Sequence, residues 1–173
     1  RNSVWPQPRE FGNLTDSVLG LAEGTKHIGQ NKYTGQLKDG QAHGQGVLEC
    51  PDGGRYEGAF EDDARHGFGK WVDAEGRWYE GNFKQNKREG QGIWGHPDGR
   101  RYEGAWQDHF RHGSGCYMAR GGRMYIGNWA HDKLRAGEYV DAEGRRFQFK
   151  LLAEKDCAQL DELTEADFES RTA

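Results

Sequence analysis

Residues 56 to 78 read Tyr56-Glu-Gly-Ala-Phe60-Glu-Asp-Asp-Ala-Arg65-His-Gly-Phe-Gly-Lys70-Trp-Val-Asp-Ala-Glu75-Gly-Arg-Trp78, and the chain repeats this stretch. The opening Tyr recurs at Tyr33, Tyr79, Tyr102 and Tyr125, each 23 residues from the last. Two residues after each Tyr stands Gly35, Gly58, Gly81, Gly104 or Gly127. Two further on stands a large apolar residue: Leu37, Phe60, Phe83, Trp106 or Trp129. A fixed period of this length marks a repeat architecture, and it governs how every local motif is read.

Within a unit, alternation assigns the first half to a β-strand. Tyr56, Gly58 and Phe60 point to one face, and Glu57 and Ala59 to the other. A Gly-x-Gly segment follows at Gly44/Gly46, Gly67/Gly69, Gly90/Gly92 and Gly113/Gly115. A row of glycines leaves space above the backbone in which a neighbouring ring can lie, so rings are expected to pack over glycines of adjacent strands. Gly40, Asp63, Asn86, His109 and Asp132 suit a left-handed turn. Units close with Asp73-Ala-Glu-Gly76, Pro97-Asp-Gly99 and similar segments that suit type I turns. Each unit therefore reads as a β-hairpin. Five in tandem make an antiparallel meander of about ten strands, roughly 45–50 Å across at ~4.8 Å per strand.

The Tyr-x-Gly-x-aromatic opening, the Gly-x-Gly and the 23-residue step resemble MORN (membrane occupation and recognition nexus) repeats, from Tyr33 to about Phe147. The resemblance implies an all-β repeat, an elongated, twisted, single-layer antiparallel sheet. It also implies the settings in which such repeats serve: axonemal and cytoskeletal assemblies, membrane contact sites, and the company of lipid kinases. The fifth unit departs from the pattern, with Ala136 and Glu138 in place of the paired glycines and Phe147 arriving after 22 residues. It reads as a worn terminal repeat.

The organisation expected is an N-terminal extension or cap over 1–32, five repeats over 33–147, and an acidic helical cap or docking arm over 148–173. In the extension, Trp5-Pro6-Gln7-Pro8 reads as extended chain. Leu14, Val18 and Leu21 have helical spacing that Gly24 would end. Alternatively, Gly12 and Leu14 open a decayed repeat. Asn13-Leu14-Thr15 fits a glycosylation pattern that has no secretory context here. After Leu151 glycine disappears, and helices are expected over about 152–162 and again after Thr164 as cap, with Leu163 against Phe168.

The chain has 173 residues and a net charge of −4, which gives no reason to expect nucleic-acid binding. Cys50, Cys116 and Cys157 are too widely spaced for a zinc motif or a disulfide framework, and an intracellular, reducing setting is expected. His43, His66 and His112 sit at equivalent positions, so one repeat step separates them by two strands, roughly 10 Å. That is too far for one metal, and they read as turn residues. No nucleotide loop, zinc-protease motif or nucleophile–base pair stands out, so neither catalysis, cofactor nor small-molecule substrate is expected. Two binding surfaces remain. Tyr33, Leu37, Tyr56, Phe60, Tyr79, Phe83, Tyr102, Trp106, Tyr125 and Trp129 would line an aromatic groove for a segment of a partner protein. Arg55, Arg77, Arg100, Arg123 and Arg145 form a stripe, with a second Arg set, Arg65, Arg88, Arg111 and Arg135, near the hairpin tips; such a stripe would suit anionic phospholipid or an acidic protein surface, unless Glu57, Glu80 and Glu103 pair with it. The leading expectation is a non-enzymatic scaffold subunit of a large assembly, ciliary, cytoskeletal or on an organellar membrane; the alternative is a peripheral membrane protein.

Overall fold

The computed structural model describes residues 20–163 and 167–172. Readings placed on Trp5 to Val18 and on Thr164 lie outside those residues. The described chain is one open sheet of thirteen antiparallel strands, each hydrogen-bonded to its neighbours in sequence. In order they are β1 (Ala22–Ile28), β2 (Asn31–Lys38), β3 (Gln41–Glu49), β4 (Arg55–Glu61), β5 (Ala64–Val72), β6 (Trp78–Lys84), β7 (Lys87–Gly95), β8 (Arg101–Gln107), β9 (Phe110–Met118), β10 (Met124–Ala130), β11 (Lys133–Val140), β12 (Arg146–Lys155) and β13 (Phe168–Thr172). A five-residue helix, α1 (Cys157–Asp161), lies between the last two.

The tips of the repeat hairpins are two-residue turns with both residues left-handed. Asp62 and Asp63 have φ of 49° and 66°, Gln85 and Asn86 47° and 69°, and Asp108 and His109 48° and 74°. This geometry matches the twist of the flanking strands and favours short polar residues. Each tip also clamps the hairpin before it. The Asn86 amide donates to the Arg65 carbonyl at 2.9 Å, and the Arg65 amide donates back to Asn86 Oδ1 at 3.0 Å. Asp63 with Ala42 and Asp132 with Arg111 do the same.

The paired glycines divide their work. The second of each pair is a ring seat: a Cβ on Gly92 would lie 2.3 Å from Tyr79 Oη, and one on Gly69 2.2 Å from Tyr56 Oη. The first, with φ of 62–75° at Gly44, Gly67, Gly90 and Gly113, lies in a bulge. Between Gly81↔Gly92 and Phe83↔Arg88 the returning strand carries two more residues than its partner.

Five hairpins closed by helices is a count that needs correction. β1 precedes the first hairpin, and Gly24 lies inside it, paired with Gly35, where a helix end was expected. Beyond the fifth hairpin the expected helix from 152 is strand as far as Lys155. Phe147, Phe149 and Leu151 alternate with exposed Gln148 and Lys150, and that two-residue period outweighs the helical composition. The only helix among the described residues is α1, capped by Asp156, which accepts from the Gln159 amide at 3.0 Å. Phe168, expected in a second helix, begins β13. The fifth unit keeps the glycine pairing but not the ring seat: a Cβ on Gly137 would meet the Ile126 carbonyl at 2.0 Å and no tyrosine. Gly137 pairs with Gly127, as Gly115 does with Gly104, because one residue has been dropped from the bulge. That deletion is why Phe147 arrives a residue early.

Candidate partner-binding cleft

The face that bears the tyrosines carries the core. Tyr33, Tyr56, Phe60, Tyr79, Phe83, Tyr102, Trp106, Tyr125 and Trp129 are buried, and Leu37 is half-buried against them. The rings run along the sheet edge to face: Tyr56 meets Phe60 at 5.1 Å and Phe83 at 5.1 Å, Tyr79 meets Phe83 and Trp106, and Tyr102 meets Trp106 and Trp129. Each such pair contributes about 0.5–1.5 kcal/mol beyond its buried area. The polar tips are satisfied in place. Tyr56, Tyr79 and Tyr102 donate to the carbonyls of Ala59, Asn82 and Ala105, and Trp106 Nε1 donates to the Gly92 carbonyl. These ten positions therefore form the floor of the face, with little surface of their own to offer a partner.

Two further rows rise over that floor: an apolar one that the sequence reading did not pick out, and the second arginine set that it placed near the hairpin tips. Toward the turns stand Leu48, Trp71, Trp94 and Tyr117, paired across strands with Tyr56, Tyr79, Tyr102 and Tyr125 and also 23 residues apart. Extending the period to these positions would have found them. Toward the tips stand Ala42, Arg65, Arg88, Arg111 and Leu134. The three guanidiniums lie over rings: Arg65 is 5.4 Å from the Trp71 ring centre and 5.5 Å from Phe83, Arg88 4.4 Å from Trp106, and Arg111 5.7 Å from Trp129. Arg135, grouped with them by sequence, gives way to its neighbour Leu134, which is fully buried.

Between these rows, in the middle of the sheet, lies a cleft of about 410 Å³ lined by Arg65, Trp71, Arg77, Tyr79, Arg88 and Trp94 among others. Trp71 and Trp94 are partly exposed in it. Arg65 donates to Asn86 Oδ1 and its carbonyl at 3.2 Å, and Arg88 to the His109 carbonyl at 2.9 Å. Among the described residues neither meets a carboxylate. Burial pushes both guanidiniums below the ordinary arginine pKa. Burial, then Arg88 and Arg65, also holds the His109 imidazole low. Arg111 differs: burial acts against its charge too, but Cys157 and Asp132, the latter 2.7 Å from Nε, outweigh it and raise its pKa.

Toward the C-terminus the same face is occupied by the chain itself. α1 lies on it with Leu160 fully buried, and the Leu160 carbonyl accepts from Tyr125 Oη at 3.1 Å. Asp161 accepts from Tyr117 Oη at 2.9 Å and lies 3.5 Å from Arg100, while Arg123 donates to the Asp161 carbonyl at 2.9 Å. Arg111 donates to Cys157 Sγ. Burial pushes the Cys157 thiol up to about 12, against the pull of the Arg111 charge.

The arginine stripe is tied down locally. Arg77 meets Asp73 at 2.6 Å and Glu75 at 2.9 Å. Arg145 meets Asp141 at 2.6 Å and Glu143 at 3.2 Å. Arg55 meets Glu57 and Glu49, and Arg100 meets Asp98 at 2.9 Å. The histidines stand in strands, not turns: His43 in β3, His66 in β5 and His112 in β9, beside the bulge glycines. Among the described residues no helix is long and apolar enough to cross a membrane.

The sequence model of the MORN repeat matches residues 33–55, 56–76, 79–99 and 102–123, which together make up half of the chain. No curated protein matches the chain. Among solved structures it is similar to one described as the SAS-4 (dCPAP) TCP domain in complex with a Proline Rich Motif of Ana2 (dSTIL) of Drosophila melanogaster. The two are 16% identical, with a TM-score of 0.44, over 86% of this chain and 96% of that one.

Proposed function

The chain belongs to the MORN-repeat family, whose repeats suggest a protein-interaction or membrane-binding array, and from that premise we propose that it is a non-enzymatic scaffold subunit. It holds a segment of a partner protein on the tyrosine-bearing face of its sheet, within a larger assembly. The observation that carries this reading is the central cleft, where partly exposed Trp71 and Trp94 stand beside half-buried Arg65 and Arg88. Trp and Arg in a preformed, partly desolvated hollow are the residues that anchor protein interfaces. The same groups argue against chemistry there, because the guanidiniums are committed to ring faces and turn carbonyls. Local pairing of Arg55, Arg77, Arg100 and Arg145 with carboxylates leaves the stripe little net attraction for anionic lipid. The setting we assign is intracellular, on the cytoskeleton, in a cilium or at an organellar membrane, where scaffolds of this kind hold permanent complexes together.

The test is affinity purification of the full chain from its native source, followed by cross-linking mass spectrometry. Cross-links are expected on β5 to β8, on the Trp71 and Trp94 side, and capture should be lost in the Trp71→Glu, Trp94→Glu double variant with its far-ultraviolet dichroism unchanged. Cross-links confined to the opposite face, around Phe68 and Ile93, would overturn the reading. So would salt-sensitive sedimentation with phosphatidylserine vesicles that is lost on Arg77→Ala, Arg100→Ala and Arg123→Ala.

A further inference from the structure

α1 shows what chemistry this face accepts, because the chain supplies an occupant for one end of it while, among the described residues, the middle stays open. The contacts of α1 are few and specific. Leu160 fills the apolar floor and gives its carbonyl to Tyr125; Asp161 takes Tyr117 and Arg100, and its carbonyl takes Arg123; Cys157 meets Arg111. Four of those residues have counterparts two repeats, 46 residues, earlier. Tyr117 becomes Trp71, Tyr125 becomes Tyr79, Arg111 becomes Arg65 and Arg123 becomes Arg77. All four counterparts line the central cleft. The periodicity has thus set equivalent positions around two sites, one filled and one open among the described residues; they differ at the tyrosine, since the Tyr79 hydroxyl is taken by the Asn82 carbonyl and Tyr125's by Leu160.

The open copy differs in charge. Where Arg111 has Asp132, Arg65 has Asn86 and Arg88 has His109 at the equivalent tip positions. Two half-buried cations therefore face the cleft without a carboxylate partner of their own, and Asp73, which also lines it, is paired with Arg77. A guanidinium held in a low-dielectric hollow gains most from a carboxylate, with which it makes short, charge-assisted hydrogen bonds. The cleft's volume of about 410 Å³ falls in the range that suits a few side chains.

We propose that the open cleft between Trp71 and Trp94 receives a short helical segment of a partner protein that presents an apolar side chain followed at once by a carboxylate, as Leu160 and Asp161 are presented at the filled site. This rests on the scaffold reading above and adds the place and the chemistry of the occupant.

The probe is a synthetic peptide of residues 155–163 with Cys157→Ser, a photoreactive leucine at 160 and a terminal fluorophore, titrated against the full chain by fluorescence anisotropy. Cross-links are expected on Trp71, Tyr79 or Trp94. The Asp161→Asn peptide should bind about tenfold more weakly, and the Leu160→Ser peptide should not bind measurably. Because the substitutions are in the peptide, the fold of the protein is not at issue. Arg65→Lys and Arg88→Lys in the protein should each weaken the parent peptide and leave the Asp161→Asn peptide unaffected. Four results would overturn the proposal: equal binding of the Asn peptide; cross-links only on Tyr117 and Tyr125, meaning exchange with α1; concentration-dependent dimers that the peptide breaks up, meaning a second copy as occupant; or cross-links from residues 1–19 of the chain into the cleft. If native partners cross-link to this face while the peptide shows no need for Asp161, the scaffold reading stands and this inference falls. If partners cross-link elsewhere, the reading itself falls.

Discussion

The stretch from β4 to β8 and the stretch from β9 to β12 are built from the same unit, yet they end differently. In the first, every returning strand carries a two-residue bulge with a left-handed glycine, a glycine seat under a tyrosine, and an arginine over the rings. In the second, β9 still follows that plan, but in β11 one bulge residue is gone and Leu134 replaces the arginine, and the Tyr125 hydroxyl is turned to the Leu160 carbonyl of α1. A repeating sheet can bury its face only against the next repeat, so its last unit needs something else to cover it. Here the chain covers itself. The middle, covered by none of the other described residues, keeps a cleft whose tryptophans and arginines are partly committed and partly free to meet another molecule. Closure at one end and openness in the middle arise from the same periodic surface, and they are separated by one deletion, one Arg-to-Leu exchange and a five-residue helix.

The sharpest way to break this comparison is to remove the cover. Leu160→Ala deletes a fully buried side chain and should cost about 3 kcal/mol, within the 2–5 kcal/mol of buried Leu truncations. The loss should be local, because repeats interact with their neighbours only. Hydrogen exchange should show protection falling in β10 to β12 while β4 to β7 keep theirs. A uniform loss along the sheet would mean that the two stretches are one cooperative body, and the contrast drawn here would be empty.

A substitution in the middle should act the other way round. A Cβ on Gly92 would come within 2.5 Å of the Tyr79 ring, which is itself held between Phe83 and Trp106 and cannot swing aside. Gly92→Ala is expected to cost about 2 kcal/mol by overpacking. In urea the midpoint should fall with the slope unchanged. Protection should drop around β6 to β9 and survive at α1.

How far the molecule can be read from its sequence follows the same division. The period exposes Tyr33 to Trp129, the tip turns at Asp63, Asn86 and Asp132, and the glycine seats, since each is a local rule restated every 23 residues. It also holds Trp71 and Trp94, which only needed the same step applied to one more position. What it cannot show is that the tyrosines are floor and the arginines lid, because alternation says which face a side chain takes but not how high it stands above it. The C-terminal cover is still less legible. Tyr117 and Asp161 are 44 residues apart and belong to no shared pattern. There, composition favoured helix from about residue 152, where the strand marked by the alternation of Phe149 and Leu151 runs on to Lys155.

The smallest expected effect tests the charge side of the comparison by making the middle resemble the end. Asn86 and Asp132 occupy the same left-handed tip position, and Asp63, a third copy, shows that a carboxylate is accommodated there. Burial alone would raise the Asp63 pKa, but the Lys26 hydrogen bond at 2.8 Å, the Ala42 amide and the Lys26 charge hold it below the ordinary value. Asn86→Asp should give Arg65 the partner that Arg111 already has, and should stabilise the chain by about 0.5–1 kcal/mol, modest because the pair is reached by solvent. The sign of its pH dependence follows from the depressed folded pKa expected of such a carboxylate. The gain should be present above the unfolded value near pH 4 and vanish as pH falls through the folded one. Thermal melts of both chains at pH 7 and below pH 3 would read this as a difference of a few degrees that disappears in acid. The same substitution should weaken capture of an acidic segment in the cleft, because the new carboxylate competes for Arg65. A variant that gained stability while binding such a segment just as well would show that Arg65 supports the fold and takes no part in recognition.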